Sequence, residues 1–262
     1  SLDSARGVLY EDELVVQTND AHHFNYLNSA YESYSQNNSR EMSLHVNKYK
    51  VRREELEKAY PGLRAITSPE KTNDVLVSVK PNQIQNVCEL LSVASPERLI
   101  SIAAGVTITT LENSLPPETS VIRVMPNTPA MVNEGMSVLS PGTYASSADI
   151  EWAVSIFAAV GETAVLEEKL MNAVTGVSGS GPAYVFALAE ALVMAGINEG
   201  LDYENADLLV RQTLLGAATL LSQSGESPTE LREAVTSPNG TTAAAISIFE
   251  RTGFQEILID AV

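Results

Sequence analysis

The rhythm of apolar and polar positions changes near residue 161. Between residues 44 and about 160, short β-branched or apolar runs read as strands: Leu44–Val46, Val75–Val79, Leu99–Ala103 and Val121–Met125. Helical spacing covers Arg53–Tyr60, Asn82–Leu91 and Thr109–Ser114, and a further helix over Asp149–Val160 follows the last strand. Such alternation predicts a parallel, doubly wound α/β sheet. After Gly161 the strand signals stop. Pro182–Gly200, with proline in its first turn, is apolar around most of its circumference. Ala206–Gln223 is a second long helix, and its Gly216, Ala217 and Ala218 let another helix approach closely. Pro228–Val235 and Thr241–Arg251 are shorter. The reading is an α/β domain over residues 1–161 and an all-α domain over 162–262.

Two features modify this picture. The first 42 residues are rich in Asn, Ser, Tyr and acids and hold a single glycine, Gly7; Leu14–Gln17 has strand character. The C-terminal helices are too apolar for so small a domain to bury alone, which implies a partner subunit, as a homodimer or higher homo-oligomer.

Composition narrows the function. The formal net charge of −17 over 262 residues argues against nucleic acid or an anionic membrane as main partners. A small anionic substrate needs only local positive potential, and Lys48, Lys50, Arg52, Arg53 and Lys58 form a dense basic run. The longest apolar run, Pro182–Ile197, is short for a membrane span and carries Glu190, and the first residues do not resemble a secretory signal. Cys88 is the only cysteine, so no intrachain disulfide forms; a reduced, cytoplasmic setting is expected, with Cys88 as a small core residue. His22, His23 and His45 all precede residue 46, which removes a Ser-His-Asp arrangement from the body of the chain. No metal-binding motif is present. An enzyme so equipped must work without histidine, cysteine or metal, and hydride transfer with a cofactor fits.

Three stretches carry specific signals. In Asp74–Pro81, "DVLVSVKP", a strand ends at Ser78-Val79 and is followed by Lys80 and Pro81. Ligands bind at the carboxyl ends of strands in open α/β sheets, so this segment faces a ribose or phosphate, or else merely starts a helix. In "SIAAGVT", the small residues Ala103, Ala104 and Gly105 let a flat ring approach the backbone, and in "VIRVMPNTPAMVNEG" Asn127 follows a strand end. The third signal is the pair "AVTGVSGSGPAYVF" and "AVTSPNGTTAAA", each a glycine-bearing turn between helices. A helix start exposes N–H groups and positive dipole potential. With Gly240 leaving that end uncovered and Thr241 and Thr242 adding hydroxyls, the second turn suits a small carboxylate. The competing reading is a simple cap by Thr241 or Asn239, with Asn239 in the left-handed region.

Together "VIRVMPNTP", "AVTGVSGSGPAYVFALAEAL", "QTLLGAATLL" and "LREAVTSPNGTT" closely resemble pyrroline-5-carboxylate reductase, over roughly Leu44 to Val262. The resemblance implies a Rossmann-type N-terminal domain and an all-α dimerisation domain. It also implies reduction of 1-pyrroline-5-carboxylate to L-proline, the last step of proline biosynthesis, with NADPH or NADH. Carried over residue by residue, it assigns Asn47 and Lys48 to the adenosine ribose or 2′-phosphate. Ser78, Val79, Lys80, Pro81 and Ala104 become cofactor contacts, with Asn127 near the nicotinamide. Val235, Ser237, Gly240, Thr241 and Thr242 line the substrate loop, with the two threonines on the substrate carboxylate. Glu168, Thr242 and water are the candidates to protonate the ring nitrogen.

The chain departs from the family at its ends. A Gly-rich pyrophosphate turn is expected within residues 1–42, where only Gly7 stands and Glu11, Asp12, Glu13 and Asp20 would repel phosphate. The family pattern also continues beyond the final "IDAV", and no methionine begins the chain, as in a fragment or altered gene product. The alternative function is therefore a cofactor-deficient member that acts as an oligomerisation or binding module.

Overall fold

The computed structural model describes residues 73–262, with the backbone of two further segments, Leu14–Thr18 and Met42–His45. These two are strands β1 and β2. They are followed by β3 (Asp74–Ser78), β4 (Arg98–Ser101), β5 (Ser120–Met125), β6 (Gly135–Pro141) and β7 (Gly161–Val165). All seven join one sheet in the order β2-β1-β3-β4-β5-β6-β7. The pairs from β2 to β5 are parallel. β6 runs antiparallel to β5, and β7 returns parallel to β6.

The run Leu14–Gln17 thus enters the sheet between two strands, Leu14 level with Met42 on one side and Asp74 on the other. Strand order reverses between β1 and β3, and ligands of doubly wound sheets bind at that point. β3 is buried along its whole length and β5 along most of it, as strands covered on both faces must be. Helix α1 (Ile84–Ala94) buries Ile84, Val87, Cys88 and Leu91, at helical spacing. Burial lifts the Cys88 thiol to about 11, so it is a core residue as expected. Helices α2 (Ile108–Glu112) and α3 (Ser147–Phe157) follow β4 and β6. A capping box between Ser146 and Asp149 starts α3, and Ala153, Ile156 and Phe157 complete its buried side.

At the edge where β3 and β4 begin, polar groups are saturated. The Arg98 guanidinium donates two hydrogen bonds to Asp74, at 2.6 and 2.7 Å, and lies 4.3 Å above the Trp152 ring. Ser120 donates to Asp149 on the same side.

Two strands lie outside the expected set. β6 and β7 carry the sheet past residue 161, because their glycines, serines and charges dilute the apolar signal. Short α4 (Met171–Val174) then leads into one π-helical turn, Thr175–Gly179. The chain divides into compact units between Gly179 and Ser180.

The second unit is helical: α5 (Gly181–Asn198), α6 (Tyr203–Gln223), α7 (Pro228–Ala234), α8 (Thr241–Arg251) and α9 (Phe254–Ala261). Asp202 caps α6, and a Ser227–Glu230 capping box starts α7. Within this unit only Ala206 is buried. Contrary to the sequence reading, the helical run Glu168–Asn198 is long and apolar enough, by length and composition, to cross a membrane. The difference arises because helical turns extend the apolar stretch upstream of Pro182. A helix whose face is covered by a second protein copy passes the same test.

Candidate active site

The carboxyl edge of the sheet carries one set of the predicted residues. Ser78 ends β3 beside the switch point, is buried, and its Oγ has no hydrogen-bond partner among the described residues. A buried hydroxyl without a partner costs about 1–3 kcal/mol, which marks this position as one for an external oxygen or nitrogen. Val79 is buried beside it, while Lys80 and Pro81 are exposed where a 3-10 turn, Pro81–Gln83, begins. After β4 the chain passes through buried Ala103 to exposed Ala104 and Gly105, with Gly105 at φ +75° and open space where a side chain would stand. An unsatisfied hydroxyl, a free lysine and a stretch without bulky side chains fit a dinucleotide. Asn47, Lys48 and the basic run lie outside the described residues, as do His22, His23 and the segment expected to carry the pyrophosphate turn. Among the described residues no cluster of His, Cys, Asp and Glu could hold a metal ion.

Asn127 follows β5 with extended backbone, and its side chain is engaged. Its Oδ1 accepts from the Met136 amide at 2.8 Å, and its Nδ2 donates to the Ser178 carbonyl at 3.1 Å. Glu168 is also engaged. Its Oε1 accepts from Arg123 Nη1 at 2.9 Å and from the Ile108 amide at 2.7 Å. Oε1 is thus held by the chain itself, on a side chain that stays 29% exposed. Sequence reasoning missed its partner. The available signal was an arginine inside the buried strand "SVIRVM", a charge that must be paired there.

The helical unit carries a separate set of the predicted residues. α7 ends at Ala234, and Val235 and Ser237 open the turn to α8. The Gly240 amide donates to the Ser237 carbonyl at 3.0 Å. Asn239 takes φ +62°, the left-handed conformation expected of it. The cap reading does not hold: Gly240 is the N-cap of α8, and no side chain caps the helix. A Cβ on Gly240 would collide with Ser237, which lies 2.6 Å away at its Oγ. The turn therefore leaves little room for a side chain at Gly240, and the first amides of α8 are uncapped by Thr241 or Asn239, with the Thr241 and Thr242 hydroxyls at the same helix start.

Comparison with known proteins identifies the family. The pyrroline-5-carboxylate reductase dimerisation family matches residues 168–262. A pyrroline-5-carboxylate reductase of Methanosarcina acetivorans is 42% identical over 195 residues, 73% of this chain and 72% of that protein. Among solved structures, a Coxiella burnetii pyrroline-5-carboxylate reductase has a TM-score of 0.81 at 30% identity and covers 98% of this chain and 94% of its own. A Plasmodium falciparum pyrroline carboxylate reductase with NADP bound has a TM-score of 0.76 at 26% identity, covering 96% and 95%. From its switch-point sheet to its uncapped helix start, this chain belongs to the pyrroline-5-carboxylate reductase family.

Proposed function

We propose that the chain reduces 1-pyrroline-5-carboxylate to L-proline, the last step of proline biosynthesis, with NADPH in preference to NADH, as a cytoplasmic homo-oligomer. The observation that carries this reading is the start of α8. An uncapped helix behind a left-handed Asn239 and a closely packed Gly240 presents amide donors and positive dipole potential to a small carboxylate. Family membership supplies the rest of the substrate, a cyclic imine. The NADP bound to the Plasmodium relative supports the choice of cofactor.

In this reading Ser78, Val79, Lys80, Pro81 and Ala104 hold the nucleotide, with Asn47 and Lys48 at its adenosine ribose or 2′-phosphate. When bound, the reduced nicotinamide supplies the hydride that the C=N carbon accepts. Thr241 and Thr242, with the α8 amides, hold the substrate carboxylate and so fix where that carbon stands. Val235 and Ser237 shape the turn. The ring nitrogen takes its proton from water or the Thr242 hydroxyl, since Glu168 is held by Arg123. Two copies meet through the exposed apolar faces of α5 and α6, including Phe186, Met194 and Leu215, and this covering accounts for the membrane-like composition without a membrane. Nucleic acid has no part in this reading.

The test is imine-dependent loss of NADPH absorbance by the purified chain. Thr242→Ala is expected to raise KM for the imine by about tenfold, the loss of one charge-assisted hydrogen bond, and to leave KM for NADPH nearly unchanged. Equal rises in both would remove the carboxylate assignment. No turnover, with no nucleotide binding on titration, would favour the cofactor-deficient alternative.

A further inference from the structure

Extended backbone points alternate residues to one face. Arg123, Met125 and Asn127 occupy such alternate positions at the end of β5, and all three engage the same stretch of chain, Glu168–Gly179. Arg123 pairs with Glu168 at 2.9 Å. Asn127 donates to Ser178 at 3.1 Å. Met125 lies against Gly179, so that a Cβ there would stand 2.6 Å from the methionine methyl. Glu168 extends the connection: the same Oε1 accepts the first amide of α2, at the end of the loop through Ala103, Ala104 and Gly105. Asn127 and Met125 thereby hold the π-helical turn to the end of β5, and Glu168, in the 3-10 turn Glu168–Leu170 upstream of it, joins Arg123 of β5 to the start of α2. π-helical turns interrupt the regular ladder and recur at functional sites, and this one lies at the carboxyl end of β5, on the ligand edge of the sheet.

We infer that Arg123, Asn127 and Glu168 are positioning residues: Asn127 latches the π-helical turn Thr175–Gly179 to the end of β5, and the Arg123–Glu168 pair latches the 3-10 turn ahead of it to β5 and to the start of α2, setting the floor on which hydride transfer occurs. This rests on the proposed reduction, and it replaces direct roles for Asn127 at the nicotinamide and Glu168 as proton donor. Both side chains act through backbone they hold, and Arg123 enters the machinery although it touches no ligand.

The experiment uses the full chain with Asn127→Ala, Glu168→Ala and Glu168→Gln, read by hydrogen–deuterium exchange and by kinetics with NADPH and 4-deuterated NADPH. Loss of a latch bond is expected to speed amide exchange across 171–180 by about tenfold in Asn127→Ala and Glu168→Ala. kcat is expected to fall by about tenfold or more with KM for NADPH within about twofold, and the primary isotope effect on kcat to rise, because misplacement slows the chemical step. Glu168→Gln keeps an oxygen facing Arg123 and the Ile108 amide, and is expected to keep kcat within about threefold with an unchanged pH profile. Unchanged exchange, kcat and isotope effect in Asn127→Ala would overturn the latch. A Glu168→Gln variant as slow as Glu168→Ala, and missing one limb of the pH profile, would overturn the positioning role and restore Glu168 as the acid. If the unmodified chain does not turn over the imine, the proposed reduction fails, while the exchange comparison still decides the latch.

Discussion

Phe157 and Phe186 mark the contrast between the two units. Both sit on helices; Phe157 in α3 is fully buried, and Phe186 in α5 is 62% exposed. Around Phe157 the first unit closes its own core from Leu76, Leu99, Ile122 and Leu139 on the sheet and from the helices that cover it. Around Phe186 the second unit leaves Val185, Met194, Leu208, Leu209 and Leu215 on its surface. The difference lies in where each unit finds the surface that removes its apolar groups from water. The first finds it within one chain, and the second needs another copy.

Identical truncations on the two sides break this comparison most sharply. Phe157→Ala is expected to lower unfolding stability by about 3–5 kcal/mol, at any protein concentration, in denaturant titrations of the first unit's transition. Phe186→Ala is expected to cost less per chain, about 1–3 kcal/mol, and only through assembly. Sedimentation should show the oligomer of this variant dissociating at higher protein concentration, while the transition of the first unit stays put. Equal, concentration-independent losses would mean that the helical unit carries its own core.

A smaller effect belongs to the first unit alone. Burial pushes the Asp149 carboxyl up, but the hydrogen bonds from the Ser146 side chain and backbone and from Ser120, with the Arg98 charge behind them, outweigh it and hold Asp149 below the usual carboxylate range. A depressed folded value contributes stability above the unfolded value, about 3.9, and that contribution is lost as pH falls through the folded one. Asp149→Asn should therefore melt lower than the unmodified chain near pH 6, by a few degrees at most, and the two curves should converge once the pH has fallen through the depressed folded value. A gap that persists in acid would mean that packing, not charge, holds the start of α3.

Much of this was legible in the sequence. Thr241–Arg251 begins and ends as read, because Pro238, Asn239 and Gly240 punctuate it, and β3 and β5 stand out as β-branched runs. Leu14–Gln17 was readable as a strand, although its place between two strands was not, since pairing depends on partners 28 and 60 residues away in register with Met42 and Asp74. β6 and β7 escaped because "GMSVLSP" and "GETAV" mix apolar with small and charged residues, and β7 is an edge strand left partly exposed. Among the site residues, Gly240 and Asn239 announce their geometry by residue type. The engagement of Glu168 does not, because its partner lies 45 residues away and only the fold brings them together.

The bare hydroxyl of Ser78 has one more consequence. Among the described residues its Oγ meets no partner, and a buried hydroxyl so placed costs about 1–3 kcal/mol. If Ser78 holds the nucleotide as proposed, Ser78→Ala should make the chain harder to melt and, at the same time, a poorer host for NADPH. Heat resistance and cofactor affinity would then be set against each other at a single oxygen atom.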